Sequence, residues 1–135
     1  MAPVQSTRRR VLVVATDTVA DDLLGEVVRG TAADVLVVAP ALNGRLAHWS
    51  SDEDRARRAA THRLTGWLEA LRARGVTAEG IVGDADPLLA IDDSLRLYAA
   101  DEIVIAAHHE DRCNWLERRA VRRARERYRQ PVRRI

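Results

Sequence analysis

The densest run of chemically capable side chains is His108-His109-Glu110-Asp111-Arg112-Cys113, which packs five groups able to ligate a metal into six residues. Transition metals accept imidazole, carboxylate and thiolate, but a structural zinc site draws four ligands from separated points of a chain. Adjacent side chains splay apart, and His48 and His62 are distant in sequence. The run reads as a polar loop leading into a helix, and no metal is expected. Cys113 beside Arg112 offers a second reading, a thiol of lowered pKa acting as a redox sensor. Without a second cysteine or a base partner, a bystander thiol is the preferred reading. Ser50, Ser51 and Ser94 fall in helix or cap contexts with no Gly-x-Ser-x-Gly elbow. The acidic pairs Asp21-Asp22 and Asp92-Asp93 read as solvated helix faces. No catalytic residue is assigned, and the chain is not expected to be an enzyme.

Arginine is the other conspicuous feature. All 22 basic residues are Arg. Residues 1–111 carry 12 of them against 18 acids, a net of −6, whereas residues 112–135 carry 10 against Glu117 and Glu126, a net of +8. A basic end attracts polyanions. Arg112, Arg118 and Arg119 could hold an anion through charge and bidentate bonds. The last helix could also touch nucleic acid through phosphates. It lacks a groove-entering motif, and few aromatics interleave its arginines for stacking. Pairing with the acidic surface of residues 1–111, within one subunit or across a dimer, is the preferred reading, and nucleic acid is not an expected partner.

The elements that must position these residues follow from hydrophobic pattern. A chain of 135 residues has room for one domain. Val11–Ala15, Val35–Ala39 and Ile103–Ala106 are continuous apolar runs, as in parallel strands buried on both faces. Val76–Val82 alternates and is expected near a sheet edge. Between the first two strands Leu23, Leu24, Val27 and Val28 recur at helical spacing. Ser50 and Glu53 form a capping box for a helix whose apolar face is Ala60, Leu64, Trp67, Leu68 and Leu71, with Gly75 stopping it. Asp86 caps and Pro87 opens a third helix carrying Leu88, Ile91 and Leu95. Asn114 and Glu117 open a fourth, striped by Leu116, Ala120, Val121, Ala124 and Tyr128. Pro131 ends it before a short fifth strand, Val132–Ile135. Strand and helix alternate throughout, which predicts a single doubly wound five-stranded, mainly parallel sheet with right-handed crossovers. Residues 1–9 are expected to be a disordered N-terminal segment and 10–135 the domain. Ligands of such sheets bind beyond the carboxyl ends of the strands, which places the candidate loops at Thr16-Asp17-Thr18 and His108–Asn114.

No signal peptide is read at the N-terminus. The longest apolar stretch, Val35–Leu42, is shorter than the ~20 residues a spanning helix needs. With a single cysteine, a reducing, cytoplasmic setting and no membrane contact are expected.

Several motifs in order resemble the universal stress protein family: Gly83, Pro87, Ile91, Asp101-Glu102-Ile103-Val104 and Pro131-Val132, with Asp17 ending the first strand. The resemblance spans about residues 10 to 135 and implies a Rossmann-like sheet of strand order 3-2-1-4-5. ATP-binding members carry Gly-x-x-Gly, nine residues, then Gly-Ser or Gly-Thr. Those glycines let backbone N–H groups approach phosphates at positive φ. The four positions become Ala106, His109, Arg119 and Ala120. The resemblance therefore implies a nucleotide crevice lined by Asp17, Val38, Ala39, Ala106, His109 and Arg119 from which the glycine phosphate clamp is missing. No cofactor is expected beyond weak ATP or AMP binding. The implied function is a non-catalytic stress-response or regulatory domain, with a homodimer formed through the last strand. The alternatives are an adenine-nucleotide binder with an altered Arg/His phosphate loop, and nucleic-acid binding by the Arg-rich last helix.

Overall fold

The two Val-Leu-Val-Val-Ala runs lie side by side at the middle of a five-stranded sheet. The structure, a computed structural model, describes residues 8–28, 33–42, 50–106 and 115–135, with backbone alone at 50–53 and 115–117. Along the chain run β1 (Arg9–Ala15), α1 (Asp21–Val28), β2 (Ala33–Pro40), α2 (Ser50–Ala73), β3 (Thr77–Gly83), α3 (Pro87–Leu97), β4 (Glu102–Ala106), α4 (Trp115–Arg127) and β5 (Val132–Arg134). The sheet order is β3-β2-β1-β4-β5, and every pairing is parallel. This is the predicted order. β3, the alternating strand, is at one edge.

Why the central runs are continuous is visible in their two faces. Val11, Val13, Ala15, Val35, Val37 and Ala39 face α1 and α2, while Leu12, Val14, Leu36 and Val38 face α3 and α4. A strand covered on both sides can leave no polar residue in its middle. The strands also run past the apolar runs. Arg9 pairs with Ala33 and Arg10 with Asp34, because ladder bonds use backbone groups and are indifferent to side-chain polarity. β1 thus starts at Arg9, a residue inside the segment expected to be disordered.

Helix boundaries have local causes. At α3 the Asp86 carboxylate accepts a bond from the Leu88 N–H, and Pro87 takes the first helical position. α2 ends where Gly75 adopts φ +79. Gly75 N–H then donates to Arg72 O at 2.9 Å and Val76 N–H to Leu71 O at 3.1 Å. Those two bonds, with Val76 and Leu71 both buried, are a Schellman stop. The expected caps Ser50 and Asn114 and the helix residues Leu116 and Glu117 lie outside the described side chains. Tyr128 falls just past the end of α4 yet still packs with the α3–α4 core.

Gly83, a motif residue, is needed for close approach. A Cβ there would stand 2.7 Å from Val38 Cγ2 and 2.8 Å from Ala90 Cβ. Both neighbours are fully buried. Gly83→Ala should therefore push α3 off the sheet and cost about 1–3 kcal/mol, as overpacking of a core does. A urea melt checks this; an unchanged midpoint would show that the gap closes freely.

One acidic pair differs from its expected solvated role. Asp92 Oδ1 accepts from the Tyr128 hydroxyl at 2.5 Å, and Oδ2 from Arg127 at 2.8 Å. The carboxylate is mostly covered, and it ties α3 to α4. Asp93 keeps the expected role, exposed and, among the described residues, paired with Arg96.

Candidate functional site

Parallel strands end with carbonyls pointing into a crevice at the sheet's carboxyl edge, widest where strand order reverses. Here that reversal lies between β1 and β4. Thr16 closes it. Its N–H donates to Ala106 O at 3.2 Å and its hydroxyl to the same oxygen at 2.7 Å. Thr16 is 3% exposed, so the hydroxyl is committed to this seam.

Asp17 follows at the rim. Its Oδ1 accepts from the Thr18 N–H at 2.7 Å. Its carbonyl accepts from the indole N–H of Trp67 at 3.0 Å. Trp67 is fully buried in α2, so one side chain supplies core volume and fixes the loop after β1.

The residue that dominates the crevice is Arg63, and sequence reading missed it. Its Nη2 donates to Pro40 O at 2.6 Å, at the end of β2, and its Nε to Ala15 O at 3.3 Å, at the end of β1. One guanidinium bridges the carbonyl ends of two adjacent strands. Burial lowers its pKa from the usual value, and the neighbouring Asp17 carboxylate opposes that shift. Arg63 stands one turn before Trp67 and one residue before Leu64, at the border of the α2 apolar stripe. Nothing in the helical period distinguishes it from a solvated arginine.

The other predicted crevice residues are placed differently from one another. Val38, Ala39 and Ala106 are fully buried within their strands. Their side chains belong to the two cores, and what β2 offers the crevice is the Pro40 carbonyl one residue on. Arg119 is half-buried in the first part of α4. His109 lies outside the described residues, as do His108, Arg112 and Cys113; among the described residues Asp17 sits with the strand ends. No group of three or more metal-ligating side chains occurs among the described residues.

On the opposite rim of the sheet a second polar cluster ties elements together. Glu102 accepts from Arg9 at 3.2 Å and from Arg133 at 2.5 Å. The same arginines donate to the carbonyls of Val27 and Glu26, at the end of α1. α1 has no basic residue in its last turn; these two cations complement the negative end of its dipole.

Tyr98 closes α3 against the sheet, its hydroxyl donating to Asp34 O at 2.8 Å. Burial first, and then the Asp34 carboxylate, push its pKa up to about 12. Tyr128 is pushed up too, by burial and then by its bond to Asp92. A folded-state pKa above the unfolded value means that the native state holds the proton more firmly. That stability is complete below the unfolded value of about 10 and is lost as pH rises towards the folded one. The melting temperature should fall between roughly pH 10 and 12, and Tyr98→Phe should flatten the fall. An identical slope in the variant would contradict the assignment.

No helix among the described residues is long and apolar enough to cross a membrane. The chain matches no protein-family model and no curated protein. Its structure is similar to solved universal stress proteins. One from Archaeoglobus fulgidus superposes with a TM-score of 0.63 at 20% identity, covering 94% of this chain and 93% of that one. A family protein from Burkholderia pseudomallei gives 0.65 at 19%, covering 96% and 97%. A family protein from Arabidopsis thaliana with AMP bound gives 0.58 at 16%, covering 94% and 90%. Sheet order, the placement of the helices and near-complete mutual coverage agree: the chain has the universal stress protein fold.

Proposed function

We propose that this chain is a non-catalytic regulatory domain of the universal stress protein family, acting in the stress response in the cytoplasm, and holding adenine nucleotide weakly or not at all. The observation that carries the reading is Arg63. Donor groups of a ligand entering beyond β1 and β2 would meet the carbonyls of Ala15 and Pro40 already accepting from the guanidinium. Buried polar groups that are satisfied internally offer a ligand little unless it replaces those bonds. Ala106 and Arg119 standing where ATP-binding relatives carry glycine act in the same direction. Calorimetric titration with ATP, ADP and AMP should give no sub-millimolar affinity. Sub-millimolar binding that Asp17→Ala abolishes would overturn the proposal.

One observation favours the second reading, an adenine-nucleotide binder with an altered phosphate loop: the Arabidopsis neighbour is a structure with AMP bound. On that reading Arg119 and the loop before α4 would hold phosphate by side-chain charge in place of backbone amides.

The proposal includes a homodimer through β5. Only Val132–Arg134 pair with β4, leaving the other side of the strand as an edge that a second copy can extend. Arg133 turns inward to Glu102 and α1 and so does not place its charge on that edge. Sedimentation that finds only monomer at high micromolar concentration would contradict the dimer.

A further inference from the structure

The arginines of the last helix do not pair with the acidic remainder of the chain in the way their sequence suggests. Arg127 reaches Asp92, and beyond the helix Arg133 reaches Glu102 and Glu26. Arg118, Arg122, Arg123 and Arg129 are exposed and make no hydrogen bond or ion pair within the described residues. Arg125 commits only its Nε, to Val132 O. The helix turns its small apolar residues, Ala120, Val121 and Ala124, into the core. Its exposed side is left almost wholly cationic, with Glu126 the one acid among the described residues from 118 to 127. Next to it runs an open groove of about 600 Å³ lined by Leu88, Arg122, Arg123, Glu126 and Arg127.

From this surface we infer a binding face for the phosphate backbone of duplex nucleic acid, without base specificity. Three properties select that partner. Arg118, Arg122 and Arg125 follow one line of the helix at i, i+4 and i+7, about 10 Å from first to last, and Arg129 continues just past its end. That is the reach of a few successive phosphates, and guanidinium forks match phosphate oxygens. A folded acidic protein would need an apolar centre to its interface, and the exposed side of α4 has none. The exposed leucines of the neighbouring helix, Leu89 and Leu97, stand two turns apart with Asp93 between them. A single strand would need aromatic platforms. Tyr128 is no such platform: its hydroxyl is held by Asp92 and Leu88 O, and Arg127 lies over its ring. The inference is independent of whether the strand-end crevice binds nucleotide.

The test is fluorescence anisotropy of a labelled duplex of about 20 base pairs with the full chain, over roughly 50 to 200 mM salt. Binding should be micromolar at the lowest salt, with log K falling against log salt at a slope of about −3, the value for three to four neutralised phosphates. Replacing Arg118, Arg122, Arg123 and Arg129 together with Gln should weaken binding at least ~10-fold and bring the slope to about −1 or shallower. The same four changed to Lys should keep the slope, since charge is retained. Thermal melts of both variants should match the parent because the four side chains are exposed. Absence of binding at the lowest salt, or an unchanged slope in the Gln variant, would overturn the inference. Tighter binding to single strands would overturn the choice of a duplex, and tighter binding to polyglutamate would assign the face to an acidic protein instead.

Discussion

Trp67→Ala is expected to lower stability by about 3–5 kcal/mol, the range for removing a buried tryptophan. Trp67 is fully buried and is the largest side chain in the α2 core. Among the described residues no other aromatic belongs to that core cluster. Leu24, Leu64 and Leu71 share that cluster with alanines and valines, so the middle of the range is expected. The substitution also frees the Asp17 carbonyl from its 3.0 Å bond. Trp67→Phe separates the two roles. It keeps most of the volume and loses the indole N–H, and should cost about 1–2 kcal/mol for the lost bond and the smaller ring. Equilibrium denaturation reads both values. Equal costs for Phe and Ala would mean that the hydrogen bond matters more than packing.

The second large effect is expected at Glu102. Its side chain is 12% exposed and holds two arginines from strands on either side of β4. Glu102→Ala would remove the carboxylate that Arg9 and Arg133 share, both mostly covered, while Arg133 keeps Glu26 at 3.7 Å. Breaking a buried pair in this way costs about 3–5 kcal/mol. The low end, about 3 kcal/mol, is expected because each arginine keeps a carbonyl of α1. The last strand should loosen first, since Arg133 is its middle residue. Hydrogen exchange should show the Ile135 amide, which donates to Ile105 O, losing protection ahead of the β1–β2 ladder. Uniform loss across the sheet would argue against Glu102 as the clamp of β5.

The fold was legible in the sequence because its central determinant is written in residue types. Four runs of Val, Leu and Ile separated by helical periods leave few alternatives, and Asp86-Pro87 and Gly75 punctuate the helices by backbone chemistry alone. Strand ends were less legible. Arg9, Arg10, Ala33 and Asp34 enter the ladder through backbone bonds that no side chain advertises. The site was read only in part. Asp17 is legible at the carboxyl edge because it follows an apolar strand, and the structure places it beside Arg63. Alignment with relatives points to Val38, Ala39 and Ala106 as crevice residues, and in the structure their side chains belong to the two cores. Arg63 and Asp92 were invisible for a common reason. Each is a charged residue on an amphipathic helix, and whether it stays in solvent or folds back depends on which tertiary groups lie within reach.

On the proposed reading Arg63 is the residue that matters most, since its guanidinium bonds the carbonyls of Ala15 and Pro40. Its effect extends to the sheet, where it ties the ends of β1 and β2, so its removal should open the site and loosen the rim together. The most direct measurement is a side-by-side calorimetric titration of the parent and Arg63→Ala with AMP. The account predicts no sub-millimolar binding by the parent and a measurable gain in the variant, as the carbonyls of Ala15 and Pro40 become free to accept from a ligand. Sub-millimolar binding by the parent that Arg63→Ala weakens would contradict it, because the guanidinium would then be holding the nucleotide and not taking its place.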